Sequence, residues 1–204
     1  SIIIEAKVKL PTLITDGMIL QRNQNVTIRG SADSGEKVNL KCLKKKYQTI
    51  ADNSGNWKIK LAPMKAGGPF EMVINEITIK DILIGDVWIA SGQSNMELPM
   101  RRLKPLYGDE IKKANNQNSR FFTVPQKYNF KAPQTELDGG KWEANNPETI
   151  LNFSGVAYFF AKKISKKNNV PVGIIHTSLG GSPVQAWMDE NSLRNYPEYL
   201  EEAK

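Results

Sequence analysis

The 204 residues contain one cysteine, Cys42, and one histidine, His176. A lone cysteine excludes an internal disulfide and any thiolate-based metal centre. Cys42 alternates in phase with Val38 and Leu40, so it belongs to a core rather than to a reactive surface. No run of about 18 apolar residues occurs, so no transmembrane helix is expected. Basic residues outnumber acidic ones, 28 to 21, yet the lysines are dispersed. Only Lys44-Lys45-Lys46 and the Lys162-Lys163 and Lys166-Lys167 pairs cluster. The trio sits where a hairpin would turn, and the pairs lie on and beyond the wet side of a helix. Neither forms a concentrated basic face with interleaved aromatics, so neither a nucleic-acid nor a membrane partner is expected. Hydrophobic residues at 40% and charged residues at 24% describe an ordinary globular chain.

Residues 1–80 read as β. Val26/Ile28, Val38/Leu40/Cys42, Trp57/Ile59/Leu61, Phe70/Met72/Ile74 and Ile77/Ile79 alternate with polar partners, giving each strand one buried and one wet face. Turn chemistry separates them at Ala32-Asp33-Ser34-Gly35, Asp52-Asn53-Ser54-Gly55 and Ala66-Gly67-Gly68-Pro69. This spacing predicts a small antiparallel β-sandwich. After residue 80 the pattern changes. Ile82 to Ala90 is nearly continuously apolar, as in a strand covered on both faces. A short helix is expected over Asp109 to Asn116 and a second strand over Arg120 to Val124, ended by Pro125. Residues 126–150 have few apolar anchors and read as a long surface excursion. Phe153, Val156, Ala157, Phe160 and Ile164 share one helical stripe over 153–168, and Val170 to Ser178 follows as another buried strand. Strand, helix, strand predicts a parallel α/β layer over 81–204. The expected class is thus α/β, with a sandwich domain over 1–80.

Two turns of small residues carry the chemistry. The strand Val87 to Ala90 runs into Ser91-Gly92-Gln93-Ser94-Asn95-Met96. A serine at the end of a buried strand, among residues that turn sharply, presents its hydroxyl with room for a carbonyl and for backbone N–H donors. Ser94 is the candidate nucleophile. The strand ending at Ser178 leaves into Leu179-Gly180-Gly181-Ser182-Pro183-Val184-Gln185-Ala186-Trp187. The carboxyl ends of parallel strands form the ligand crevice of an open α/β sheet, so both turns belong on one edge. Neither turn has phosphate-loop spacing. Arg101-Arg102 follow the serine turn and offer bidentate contacts to a carboxylate. Asp86 and Glu97 flank the nucleophile, and Trp88 and Trp187 each stand beside a turn, where packing competes with sugar stacking.

Gly85-Asp86-Val87-Trp88 with Ser91-Gly92-Gln93-Ser94-Asn95-Met96 resembles the nucleophile block of the sialate O-acetylesterase family, within the SGNH hydrolases. Gly180-Gly181-Ser182-Pro183-Val184-Gln185-Ala186-Trp187 resembles that family's second block. Leu20-Gln21-Arg22, the stretch Gly30 to Val38, and Pro63 to Gly68 are similar to its N-terminal β-region. The resemblance implies a carbohydrate O-acetylesterase acting on acetylated sialic acid or another acetylated carbohydrate through a serine acyl-enzyme, without metal or cofactor. It implies Ser94 as nucleophile, with the N–H of Ser94 and that of Gly180 or Gly181 as oxyanion donors. Gln93, Asn95, Trp88 and Arg101 become pocket candidates, and a secreted or periplasmic location follows from where the family usually works.

A general base is missing from this pattern. The mechanism calls for a histidine oriented by a carboxylate. The family's Asp-x-x-His-type block and a further oxyanion block lie downstream of the Gly-Gly turn, and the sequence stops at Lys204 before either. His176, on a buried strand, reads as structural rather than catalytic. The chain is therefore expected to be the front portion of a longer esterase, inactive alone, with the rest of the same protein as its partner. Two alternatives share these residues: a non-catalytic carbohydrate-binding or scaffold module, and an SGNH esterase for another acetylated polysaccharide.

Overall fold

The computed structural model describes residues 8–127 and 134–202. Part of the segment expected as a surface excursion lies outside these residues. The N-terminal half is built from β1 (Ile19–Gln21), β2 (Val26–Ser31), β3 (Lys37–Cys42), β4 (Lys45–Ile50), β5 (Asn56–Leu61) and β6 (Gly67–Ile74). The period-two pattern is realised strictly in β3 and β5, where every second side chain is buried. Leu43 and Lys44 both take positive φ between β3 and β4, the backbone twist that a tight hairpin requires. Lys44 of the lysine trio is therefore in the hairpin turn, and Lys45 and Lys46 open β4 beside it.

β2 pairs with β5 in a two-stranded sheet. It packs through Ile28, Trp57, Ile59 and Leu61 onto Val38, Leu40, Met72, Ile74 and Ile79 of the facing sheet. Cys42 lies buried in this core, and burial pushes its thiol pKa up. Gly30 has a steric reason: a Cβ there would stand 2.7 Å from the Trp57 ring and 2.3 Å from the Lys9 carbonyl oxygen. Each fully buried aliphatic side chain here contributes about 1.5–3 kcal/mol.

The two halves share one long strand, β7 (Ile77–Gly92). Its first part pairs antiparallel with β6, and its second part pairs parallel with β10 (Val172–Ser178), from Asp86↔Val172 to Gly92↔Ser178. β10 is also parallel to β8 (Asn116–Thr123), and β9 (Trp142–Asn145) closes that side antiparallel to β8. The main path runs β4-β3-β6-β7-β10-β8-β9, with β1 added parallel to β7. The α/β class is as expected, in a mixed sheet that passes from antiparallel to parallel along β7.

Between the halves β7 is pinned. Gln21 Oε1 accepts from Val87 N at 2.8 Å. Arg22 holds both Asp86 oxygens, at 2.7 and 3.1 Å, and Asn168 Nδ2 donates to Asp86 Oδ2 at 3.1 Å. The Leu20-Gln21-Arg22 segment is thus a buttress for the strand that leads to Ser94.

Five α-helices follow β7 among the described residues: α1 (Ser94–Glu97), α2 (Lys104–Lys112), α3 (Gly155–Asn168), α4 (Glu190–Leu193) and α5 (Pro197–Glu202). Three expectations are corrected. The helix expected at Asp109 to Asn116 runs instead over α2, because Pro105 suits a first turn and Asn116 already belongs to β8. The excursion carries an edge strand, β9, whose Trp142 is buried and donates from Nε1 to the Leu13 carbonyl at 3.0 Å. The stripe of α3 is rotated: Val156 and Phe160 are exposed, and the buried face is Ala157, Tyr158 and Ala161. Small residues let that helix lie close to the sheet, over a second core where Phe121 and Phe153 stack with ring centroids 4.1 Å apart.

Candidate active site

β7 ends at Gly92, whose φ of +128° belongs to glycine, and the chain turns through Gln93 into α1. Gln93 caps the helix with its side chain: Oε1 accepts from Ser94 N at 3.2 Å and from Ser94 Oγ at 2.8 Å. Ser94 is exposed at the first position of the helix. Its hydroxyl proton rests on a neutral carboxamide oxygen, which orients it but is too weak a base to remove it.

β10 carries the second turn to the same place. Leu179 N donates to Gly92 O at 2.9 Å, extending the ladder one step beyond the paired strand ends. The chain then reverses through Gly180 and Gly181, where Leu179 O accepts from Ser182 Oγ at 2.6 Å. Trp187 Nε1 donates to the same Ser182 Oγ at 2.8 Å, so this tryptophan secures the turn. A Cβ at position 180 would lie 3.7 Å from Ser94 Cα and 2.5 Å from Glu97 Oε2. The obstacle to a side chain at position 180 is thus the Glu97 carboxylate, the α1 backbone standing at ordinary contact distance.

Glu97 is the connection between the turns. Its Oε2 accepts from Gly180 N at 2.6 Å, and its Oε1 accepts from Gln126 Nε2 at 2.8 Å. Gln126 Nε2 also donates to Ser178 O at 3.2 Å. Among the described residues the Gly181 N–H has no partner.

These strand ends frame a cleft of about 550 Å³, walled by Ser94, Glu97, Arg101, Arg102, Gln126 and His176 among others. Arg101 Nη1 donates to Asn152 Oδ1 at 2.9 Å. The Arg102 guanidinium makes no hydrogen bond or ion pair among the described residues and stands exposed at the rim.

His176 is buried at the cleft floor. Its Nε2 lies 3.2 Å from Met96 O and 2.7 Å from Ser178 Oγ, while Nδ1 is buried without a partner among the described residues. A buried orphan N–H costs more than an orphan lone pair, so we assign the proton to Nε2, donating to Met96 O. Burial pushes the imidazole pKa below 6.5, against the opposing pull of the Met96 carbonyl and the Glu97 charge. With Nε2 protonated and Nδ1 sealed, His176 offers no lone pair to the Ser94 hydroxyl.

Ser94 and Arg101 share the cleft wall, Gln93 is bonded to Ser94, and Gly180 lies against α1 beside Ser94, while neither Gly180 nor Gly181 lines the cleft itself. Asn95 is exposed on α1. Trp88 stands outside the cleft wall, edge-on to Phe160 with centroids 5.1 Å apart. Asp86 is an ion-pair anchor on β7, held by Arg22. Sequence reasoning missed Gln126, Asn152 and Ser178. The signal for Gln126 was there: it follows the carboxyl end of a parallel strand, where ligand-facing residues collect.

Residues 84–204 match a family model described as carbohydrate esterase, sialic acid-specific acetylesterase. The chain is 26% identical to the sialate O-acetylesterases of Pongo abelii and Homo sapiens, each over 207 residues. These alignments cover 91% of this chain and 40% of either relative, so the chain spans about two fifths of their length. The crystal structure of a carbohydrate acetylesterase from Xanthomonas citri has a TM-score of 0.86 and 36% identity to it, covering 92% of this chain and 43% of that one.

Proposed function

The chain belongs to the sialic acid-specific acetylesterase family of carbohydrate esterases, and from that premise we propose that it carries the nucleophile of an enzyme removing O-acetyl groups from sialic acid or a related sugar. Ser94 meeting the Gly180-Gly181 turn at the ends of two paired parallel strands carries this reading. In it, Ser94 Oγ attacks the acetyl carbonyl carbon. The developing oxyanion is received by backbone N–H groups at the two turns. The sugar leaves as the alcohol, taking a proton, and water then hydrolyses the acetyl-serine. No base within reach of Ser94 Oγ exists among the described residues, where its one partner is Gln93. The base in this reading comes from the part of the relatives' length that this chain does not span. In this reading Arg101 and Arg102, which wall the cleft, meet a substrate carboxylate.

The test is Ser94→Ala in the intact protein, assayed for acetate release from O-acetylated sialic acid and from p-nitrophenyl acetate. Loss of turnover with unchanged folding is the expected result. Unchanged turnover removes Ser94 from the mechanism. The neutral partner of Ser94 also favours a second reading, a module that binds acetylated sugars without cleaving them. Saturable binding of the same sugars by an intact protein that releases no acetate would support it.

A further inference from the structure

One carboxylate ties together three segments that are far apart in sequence. Glu97 lies on the helix that starts at Ser94, Gly180 follows β10, and Gln126 follows β8. Oε2 takes the Gly180 N–H at 2.6 Å and Oε1 takes the Gln126 amide at 2.8 Å. Through the Gln126 bond to Ser178 O, 3.2 Å long, the same carboxylate also secures the last residue of β10. We propose that Glu97 is a positioning residue of the ester-cleaving site: its carboxylate fixes the Gly-Gly turn against the nucleophile helix, and so sets the distance between Ser94 and the oxyanion donors. The proposal rests on the reading that Ser94 is acylated.

The residue type fits the task. A carboxylate offers acceptors on both oxygens and no donor, and both groups that face it are donors. Charge-assisted bonds of this kind are short and strong. A glutamine has one acceptor oxygen and one NH2 group, so it can satisfy Gly180 or Gln126 but not both unless Gln126 turns over. Alanine satisfies neither. With its N–H committed to Glu97, Gly180 acts as the anchor of the turn. Gly181, whose N–H has no partner among the described residues, is then the glycine left free to donate to the developing oxyanion.

The experiment compares Glu97→Ala, Glu97→Gln and Ser94→Ala in the intact protein, with p-nitrophenyl acetate as substrate. Glu97→Ala is expected to lower kcat roughly ten- to hundredfold, the loss of one or two charged hydrogen bonds, and to leave KM within about twofold. Glu97→Gln is expected to recover part of kcat. In [15N]glycine-labelled protein the Gly180 amide, identified by its loss in Gly180→Ala, is expected to move upfield in Glu97→Ala. A kcat for Glu97→Ala at or above that of the unmodified protein, or an unmoved Gly180 amide, overturns the proposal. If Ser94→Ala keeps full turnover the acylation reading fails instead, and the amide shift alone then decides whether the tether exists.

Discussion

Arg22 grips Asp86 through two hydrogen bonds, Nε to Oδ1 at 2.7 Å and Nη2 to Oδ2 at 3.1 Å. The contact joins the end of β1 to β7 eight residues before Ser94, and Asn168 adds the end of α3 to the same carboxylate. The Arg22 hydrogen bonds and charge, with the Asn168 and Gln21 amides, hold the Asp86 carboxyl below its ordinary value of 3.8 against burial, which pushes it up.

A group whose folded pKa is depressed stabilises the fold above its unfolded pKa, and that stabilisation is lost as pH falls through the folded value. Asp86→Asn should therefore cost about 1–2 kcal/mol at neutral pH, the partial exposure of the pair keeping the figure modest. The deficit should shrink as the solution is acidified below 3.8. Urea unfolding of both forms across that range measures it. An equal deficit at all pH values would show that charge on Asp86 is irrelevant and only its shape matters.

Gly180→Ala separates tether from backbone. The φ of Gly180 is outside the left-handed range, and the atom an added Cβ would strike is the far end of the Glu97 side chain, 2.5 Å away. Glu97 can swing aside, so the variant should fold with stability within about 1 kcal/mol of the parent. Its kcat should fall about as far as that of Glu97→Ala, and the double variant should be no worse than either, because both break one contact. Gly181→Ala differs: at φ +81° it places a Cβ in a strained conformation, at a stability cost of about 1 kcal/mol.

His176 gives a clean pH probe because it is the one histidine of the chain. Burial holds its pKa below 6.5, so the unfolded chain binds this proton more readily than the folded one does. Stability should fall as pH drops below 6.5 and level off once the folded imidazole is itself protonated. The imidazole resonances should titrate below 6.5 and report the Nε2–H tautomer. A midpoint at or above 6.5 would contradict the buried, neutral ring.

Much of this architecture is legible in the residues themselves. The alternation in Lys37–Cys42 and Asn56–Leu61 fixes which face of each strand is wet, because a strand has only two faces. The Ser94 and Gly180-Gly181 turns stand out because small residues follow apolar runs, and parallel pairing then puts both at one edge. The face of α3 was not legible. Val156 and Phe160 outrank Ala157 and Ala161 in hydrophobicity, but closeness to the sheet selects small side chains, and Phe160 is left beside Trp88. Nor was the role of Glu97 legible. A glutamate three residues after a helix start reads as an ordinary first-turn acid, and only the approach of Gly180 and Gln126 makes it a bridge.

Arg102 tests whether the rim reads a substrate's charge. Its neighbour Arg101 already donates to Asn152 at 2.9 Å, whereas the exposed Arg102 guanidinium, beside the Ser94 cleft, has no partner among the described residues. An exposed arginine with no partner gives the fold little, so Arg102→Ala should leave stability within about 0.5 kcal/mol. If an acidic sugar is the substrate, its carboxylate would be met in both ground and transition states. The variant should then raise KM for O-acetylated sialic acid about five- to tenfold with kcat little changed, as expected when uniform binding is removed. Turnover of p-nitrophenyl acetate, which has no carboxylate, should not respond. A variant that affects both substrates equally would assign Arg102 to the shape of the cleft, and one that affects neither would place the sugar's carboxylate elsewhere.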